Sequence, residues 1–364
     1  MDAFARLLSA APGAVVTEGV LQHLGNPLAE QRALATGAAV APLGERAVLA
    51  VPGEDRLSWL ESFSTQRLGL LAPGASAELL ILDPNGRVEH AAGVVDDGHT
   101  AWLLVDREDA ASLLDWLRKM RFRLRVDPRD ASDEIAVVAG SAAAVSGIHA
   151  AGPNGVPLAW HDPWPGISEG GWAYGPSDAH PGSRRDWVEV LVAPDEVERL
   201  CAEAAAGVVR LAGSIAADAL RIAAWRPRIS DVDERLLPHE VDWLRSAVHL
   251  DKGCYRGQET VAKVHNLGHP PRRLVQLQLD GATARPGDAV RAGDAVVGAV
   301  AAAAEHYEQG PIALALVRRA TPVEVDLVVD TAEGPVAAAQ EVIVPPDAGA
   351  TASVPRIPRL GRRS

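Results

Sequence analysis

The sequence predicts an α+β protein, with two α+β halves followed by a β-rich terminal region. Three observations carry that prediction. A strand-turn-helix unit occurs twice, as Trp102-Leu103-Leu104-Val105-Asp106-Arg107-Glu108 and as Val190-Leu191-Val192-Ala193-Pro194-Asp195-Glu196. After about residue 270 the helical spacing gives way to short runs of alternating side chains. A chain of 364 residues, 48% hydrophobic and 23% charged, is long enough for two or three domains with substantial cores. The expected division is 1–145, 146–268 and 269–345, with a disordered tail at 346–364.

The elements follow in order. Leu57, Leu60 and Phe63 recur at helical spacing after a Pro-Gly break, predicting a helix over 55–63. Glu78–Asp83 reads as a strand, Asp83-Pro84-Asn85-Gly86 as a turn, and Val88–Val95 as the hairpin partner. Ala101–Val105 gives a third strand. A helix from about Glu108 to Met120 has Leu113, Leu114, Trp116 and Leu117 on its apolar face. The second unit predicts a helix over about 195–206, with Pro, Asp and Glu in its first turn. Residues 151–186, rich in Gly, Pro and Trp, read as a long ordered excursion. Its Trp-rich part, 160–187, is either a partner face or a loop pinned by its aromatics.

Strands are then expected at Leu274–Leu279, Val296–Val300, Ile312–Val317, Val323–Val329 and Ala337–Val344, with Gly-Asp turns at 287–288 and 293–294. Short strands at this spacing suit a small antiparallel sandwich or barrel. From Pro345 onward Pro, Gly and Arg dominate without periodicity, as in a solvated tail.

Charge narrows the function. The net charge is 35 − 48 = −13, which disfavours general nucleic-acid binding. The two cysteines, Cys201 and Cys254, are too few for a disulfide framework and lack zinc-site spacing. The histidines His161, His180, His239, His249, His265, His269 and His306 show no ligand spacing, so no metal site is expected. No apolar run approaches a membrane span, and no basic leader precedes an apolar stretch. A protein of the cytoplasm, without a membrane partner, is the expectation.

The chemistry concentrates at 251–264, where Asp251-Lys252-Gly253-Cys254-Tyr255-Arg256-Gly257-Gln258-Glu259 leads into Thr260-Val261-Ala262-Lys263-Val264. Lysine occurs only at Lys119, Lys252 and Lys263, so two of three flank this motif. Two glycines four apart permit a tight turn or a close backbone approach. A helix over Gln258–Val264 would place Cys254 just ahead of its N-terminus, between Lys252 and Arg256. Such surroundings favour a thiolate. Cys201 differs, because Val197, Leu200, Cys201 and Ala204 fall on the core face of a helix.

The motif resembles the Lys-Gly-Cys-Tyr-x-Gly-Gln-Glu signature of YgfZ-type folate-binding proteins, matching at Lys252, Gly253, Cys254, Tyr255, Gly257, Gln258 and Glu259. Leu220–Pro227, Leu237-Pro238-His239-Glu240 and Asp83–Val88 resemble other segments of that family, as does Asp55–Leu71. The resemblance implies two interleaved α+β domains and a C-terminal antiparallel β-barrel around a folate pocket, the fold of the glycine-cleavage T-protein. It further implies tetrahydrofolate as cofactor and iron–sulfur proteins or their assembly machinery as partners. Cys254 would be the key thiol, and Lys252, Gly253, Tyr255, Arg256, Gly257, Gln258 and Glu259 would shape its environment. Arg221, Trp225, His239 and Glu240 are the implied folate contacts.

Two departures bear on this. Ala223 stands where the family usually has Glu, and Trp225 where it has Gly. Thr65-Gln66-Arg67 replaces a common Thr-Asn-Asp. A carboxylate suits the amino and N–H donors of a pterin, so folate recognition is expected to be altered or weakened. The main expectation is a folate-binding accessory factor for iron–sulfur enzymes. The alternatives are a tetrahydrofolate-dependent aminomethyltransferase or related one-carbon enzyme, and a scaffold of the same fold that no longer binds folate.

Overall fold

The computed structural model describes residues 8, 9, 11–176 and 179–352. Strands β1 (Val15–Thr17) and β2 (Val20–His23) form a small ribbon ahead of helix α1 (Pro27–Ala35). Then come β3 (Ala41–Pro42), β4 (Arg46–Pro52), α2 (Arg56–Phe63), β5 (Ser76–Leu82), β6 (Val88–Asp96), β7 (Thr100–Asp106), α3 (Arg107–Met120), β8 (Arg129–Asp130) and β9 (Ala136–Gly140). A single turn, α4 (Ala142–Val145), precedes β10 (Ala159–His161), β11 (Val188–Val192), α5 (Pro194–Ala205) and α6 (Ser214–Ala223). Two more helices, α7 (Leu244–Ala247) and α8 (Gln258–Leu267), lead into the terminal strands.

Two antiparallel sheets form the α+β part. One has the order β5-β6-β7-β4-β8 and the other β10-β11-β9-β3. Because β3 and β9 flank the first sheet in the chain yet pair within the second, the two units interleave. The duplicated unit is real in form: α3 follows β7 directly, and α5 follows β11. Helix α3 places Glu108 and Asp109 in its first turn and Arg118 and Lys119 in its last, matching the helix dipole, and buries Leu113, Leu114 and Leu117.

The terminal strands β12 (Arg272–Leu279), β13 (Ala289–Ala292), β14 (Ala295–His306), β15 (Gly310–Arg318), β16 (Leu327–Thr331) and β17 (Gly334–Val342) close into a barrel of order β12-β15-β14-β13-β16-β17. Alternation decides its interior: Val275, Leu277, Leu279, Ala313, Ala315, Val317, Leu327 and Val329 pack together inside. The sequence left sandwich and barrel open; pairing of β12 with both β15 and β17 makes it a barrel.

Three expectations need correction. The strand expected from Val323 begins only at Leu327, because residues 322–326 form an exposed loop after Pro322. The side chain of Gln340 pins that loop instead, donating to Pro322 O and Val325 O. The strand expected at Val296–Val300 is the start of the much longer β14. Residues 346–352, expected within a disordered tail, lie against α8: Thr351 and Ala352 donate backbone hydrogen bonds to His265 O and Asn266 O, and His269 bonds Ala348 O. The rest of the expected tail, 353–364, lies outside the described residues. The 151–186 excursion is ordered where described, anchored by Trp160 Nε1 on Ala77 O (2.7 Å) and Trp164 Nε1 on Ala224 O (2.9 Å). No helix among the described residues is long and apolar enough to cross a membrane.

Candidate functional site

The loop carrying Cys254 is fastened at three points. The Lys252 ammonium is buried and donates to Glu61 O (2.6 Å), Ser64 O (2.6 Å) and Gln66 O (3.0 Å), so it caps the end of α2 and the turn beyond it. Burial lowers its pKa to about 8. Arg256 pairs with Glu89 on β6 (2.5 Å). Gly257, at φ +83°, lies against the 83–86 turn: a Cβ there would meet Asp83 O at 2.6 Å and Gly86 Cα at 2.9 Å. Gly86, at φ +80°, is equally crowded by Thr260. The turn and the motif, far apart in sequence, interlock through two glycines that no other residue can replace without strain.

The other motif residues divide between packing and display. Tyr255 is buried, its ring 5.2 Å from Lys252 Nζ, and desolvation pushes its phenol above the usual range. Gln258 donates to Lys252 O, closing the loop on itself (3.2 Å). Glu259 is exposed in the first turn of α8. Gly253 and Cys254 are exposed, Cys254 four positions before the helix begins. Helix α8 therefore starts where the sequence expects and runs further, to Leu267. Both cations that flank Cys254 in the sequence are engaged in anchoring the loop.

A second concentration of chemistry lies in a cleft bounded by both sheets and α6. Its empty volume is about 690 Å³, part of it open to solvent. Its walls carry a lattice of charge. Arg226 pairs with Glu78 (2.6 Å) and Asp162 (3.2 Å), and Arg185 also takes Asp162 (2.9 Å). Arg46 bridges Asp106 (2.9 Å) and Glu189 (3.0 Å), and Arg228 shares Asp106 (3.0 Å). Burial penalises the Asp162 and Asp106 charges, but their arginines outweigh it and hold both carboxyls below the usual range. Trp160, Trp187 and Trp243 line the same space. Trp160 fits because β6 has Gly93 beneath it, where a Cβ would come within 2.8 Å of the indole.

The lattice is not closed. Among the described residues, Glu45, Glu78 and Glu189 each keep one buried carboxyl oxygen without a hydrogen-bond partner, and Arg226 keeps Nη1. All four residues line the cleft. Burial raises the pKa of Glu45 even with Arg228 nearby. The cleft thus offers unfilled acceptors, one unfilled donor and flat aromatic walls, a combination suited to a planar ligand with ring N–H and amino groups.

Of the expected folate contacts, only Arg221 lines this cleft, and its donors are taken by Asp218 (2.7 Å), Asp231 (2.6 Å) and Arg226 O (2.7 Å). Trp225, at φ +60°, is buried in the main core with Nε1 on Gln276. His239 is fully buried, donates to Val261 O (3.1 Å), and has its pKa lowered to about 4 by burial. Glu240 grips Arg272 of the barrel (2.8 Å). The structure brings the Cys254 motif together, and of the four expected folate contacts it leaves Trp225, His239 and Glu240 outside the cleft lining. The sequence reading missed Glu45, Glu78, Asp162, Arg185, Glu189 and Arg226. A signal was present in Ala-Glu-Leu-Leu-Ile-Leu (77–82) and Val-Glu-Val-Leu-Val (188–192), where a carboxylate interrupts a strand that is otherwise apolar and buried.

No protein-family model matches the chain. Over 302 residues it is 26% identical to the Arabidopsis thaliana protein named "Putative transferase At1g60990, chloroplastic", an overlap of 79% of this chain and 66% of that one. The chain therefore spans just under two thirds of that relative's length. Among solved structures, the glycine cleavage system aminomethyltransferase T from Bartonella henselae superposes with a TM-score of 0.70 at 16% identity, covering 93% of this chain and 95% of that one. A heterotetrameric sarcosine oxidase from Corynebacterium sp. U-96 matches half of the chain at 12% identity, with a TM-score of 0.24, too low to bear on the fold. The mixed α+β domains and the closed antiparallel barrel are those of the aminomethyltransferase T fold.

Proposed function

We propose that this chain binds a reduced folate in the cleft and works through the thiol of Cys254 as an accessory protein in the assembly or repair of iron–sulfur enzymes. The observation that carries this reading is the Cys254 loop itself, in which lysine, arginine and glycine are committed to holding the loop while the thiol stays exposed. The motif's likeness to the YgfZ signature supports the iron–sulfur part. Glu78 and Glu189 would take the ring donors of a pterin, and Arg226 a ring carbonyl, with the tryptophans flanking the plane. These acids offer what Ala223 lacks. The folate would supply a carrier for a one-carbon unit.

A second reading is folate-dependent one-carbon transfer. The names of both comparison proteins, a transferase and an aminomethyltransferase, speak for it more directly than for the first. Glu45 favours it as well: a carboxyl whose pKa burial raises, with one oxygen unpartnered, can exchange a proton with a bound substrate.

One experiment separates them. Cells lacking the protein receive wild type or Cys254→Ala, and the activity of a four-iron iron–sulfur enzyme is read. Restoration by wild type alone supports the first reading. Equal restoration by both removes the thiol from it. Methylene transfer to tetrahydrofolate by the purified protein, lost in Glu45→Gln and kept in Cys254→Ala, would establish the second instead.

A further inference from the structure

The barrel contains a buried cation with no carboxylate partner among the described residues. Arg273 begins the inward-facing row of β12 that continues as Val275, Leu277 and Leu279, so its side chain closes one end of the barrel interior. It is 0% exposed. Its Nη2 donates to Thr321 O (3.0 Å) and to Gln340 Oε1 (3.1 Å), while Nε and Nη1 have no partner among the described residues. Thr321, itself buried, adds a hydroxyl oxygen without a partner. The roof is the 322–326 loop, which Gln340 pins from below.

None of the nearby acids neutralises Arg273. Glu324 and Asp326 are exposed on the roof, and Glu341 is exposed on β17. Burial pushes the guanidinium below its usual pKa with no carboxylate to offset it, yet arginine keeps its proton in proteins. Other buried arginines of the molecule follow the opposite rule: Arg56, Arg221 and Arg226 each face a carboxylate at 2.6–2.7 Å. Water could take the free N–H groups but would leave the charge unbalanced, and an unbalanced buried charge is costly.

We propose that the end of the barrel beneath the 322–326 loop is a binding site for a small monoanion of halide size, held by Arg273 with the Thr321 hydroxyl. The closed roof limits the occupant to a small, largely dehydrated ion, and the anion locks the β15–β16 connection onto β12. The site is separate from the cleft and from Cys254, since none of its residues lines either.

The test uses the full chain at constant ionic strength, exchanging gluconate, which is too large for the site, for chloride. Wild type is expected to gain about 2 °C in melting temperature, saturating as the site fills. Arg273→Met and Thr321→Val should lose that saturable gain. Crystals soaked in bromide should show an anomalous peak in contact with Arg273, a readout that holds even if Arg273→Met does not fold. A gluconate-insensitive wild type, an identical chloride response in Thr321→Val and wild type, or water without a bromide peak beside the guanidinium would each overturn the proposal.

Discussion

In the cleft, Arg46, Arg185, Arg226 and Arg228 meet Glu78, Asp106, Asp162 and Glu189, and every one of these charges has an opposite partner. In the Cys254 loop, Lys252 donates its hydrogen bonds to backbone carbonyls and Arg256 pairs with a single glutamate, and the exposed sulfur is one that neither fastens. The cleft is a place where charged groups hold one another. The loop is a place where groups hold the backbone so that one side chain need not be held. A buried lattice of paired charges holds its own walls together, and a tethered loop holds an exposed thiol at a fixed position.

The largest effect should come from opening the lattice. Glu78→Ala leaves the buried Arg226 with Asp162 alone, a carboxylate it shares with Arg185, and strands the Trp243 indole N–H, and should cost about 3–5 kcal/mol in urea unfolding. A loss below about 1 kcal/mol would mean that water replaces the carboxylate freely and that the cleft is wetter than its walls suggest. On the loop side, Lys252→Met leaves three carbonyls without their donor and should cost about 3 kcal/mol by the same measurement. Gly257→Ala must hold alanine at φ +83° against Asp83 O, and about 2 kcal/mol is expected, with Cys254 labelling becoming heterogeneous as the loop loses its seat. Unchanged labelling would show that the glycine contact is dispensable for position.

Around Arg245 lies a pair with opposite pH responses, Asp242 and His180. Burial raises the Asp242 pKa from 3.8 to about 6, and burial with Arg245 lowers that of His180 from 6.5 to about 4. A raised carboxyl makes the folded state hold the extra proton, so the stability it contributes is present below 3.8 and lost as pH rises to 6. A depressed histidine makes the unfolded state hold the proton, so its contribution is lost as pH falls from 6.5 to 4. The two slopes oppose each other, each at most about 1.4 kcal/mol per pH unit. Asp242→Asn should therefore lose stability on acidification more steeply than wild type, and His180→Gln less steeply. Parallel curves for all three proteins would remove both assignments.

The smallest effect belongs to the sulfur. Cys254→Ser should change unfolding free energy by no more than about 0.5 kcal/mol, because the residue is exposed. Against a thiol reagent, wild type should show one fast and one slow cysteine, and the variant only the slow one. Cys201 is the slow one, half-buried on α5 with its thiol pushed up by burial. A fast thiol remaining in Cys254→Ser would reverse the contrast between the two.

The Cys254 motif was legible because its residues are contiguous. Within eight positions the sequence shows a helix start, two glycines and a cysteine without an apolar stripe, and the structure assembles them where they stand. The helices α2, α3 and α5 and the 83–86 hairpin were legible for the same reason, since periodicity and turn chemistry are local. The cleft was not legible, because its walls come from β4, β5, β7, β11 and α6, whose charged residues meet only when the two sheets face each other. Arg221, His239 and Glu240 looked like ligand contacts and instead found partners in Asp231, Val261 O and Arg272, all supplied by later parts of the chain.

By itself the sequence determined what local physics can determine: the alternation of α+β units, the β-rich end, and a cysteine set among charges and glycines. Tertiary structure alone decided that β3 and β9 join the second sheet, that the terminal strands close into a barrel, and that Lys252 caps α2. It also decided which buried charges are paired and which, like Arg273, are not. The physical reason is that a side chain's partner is fixed by the path of the backbone through space, whereas its propensity is fixed by its neighbours in the chain.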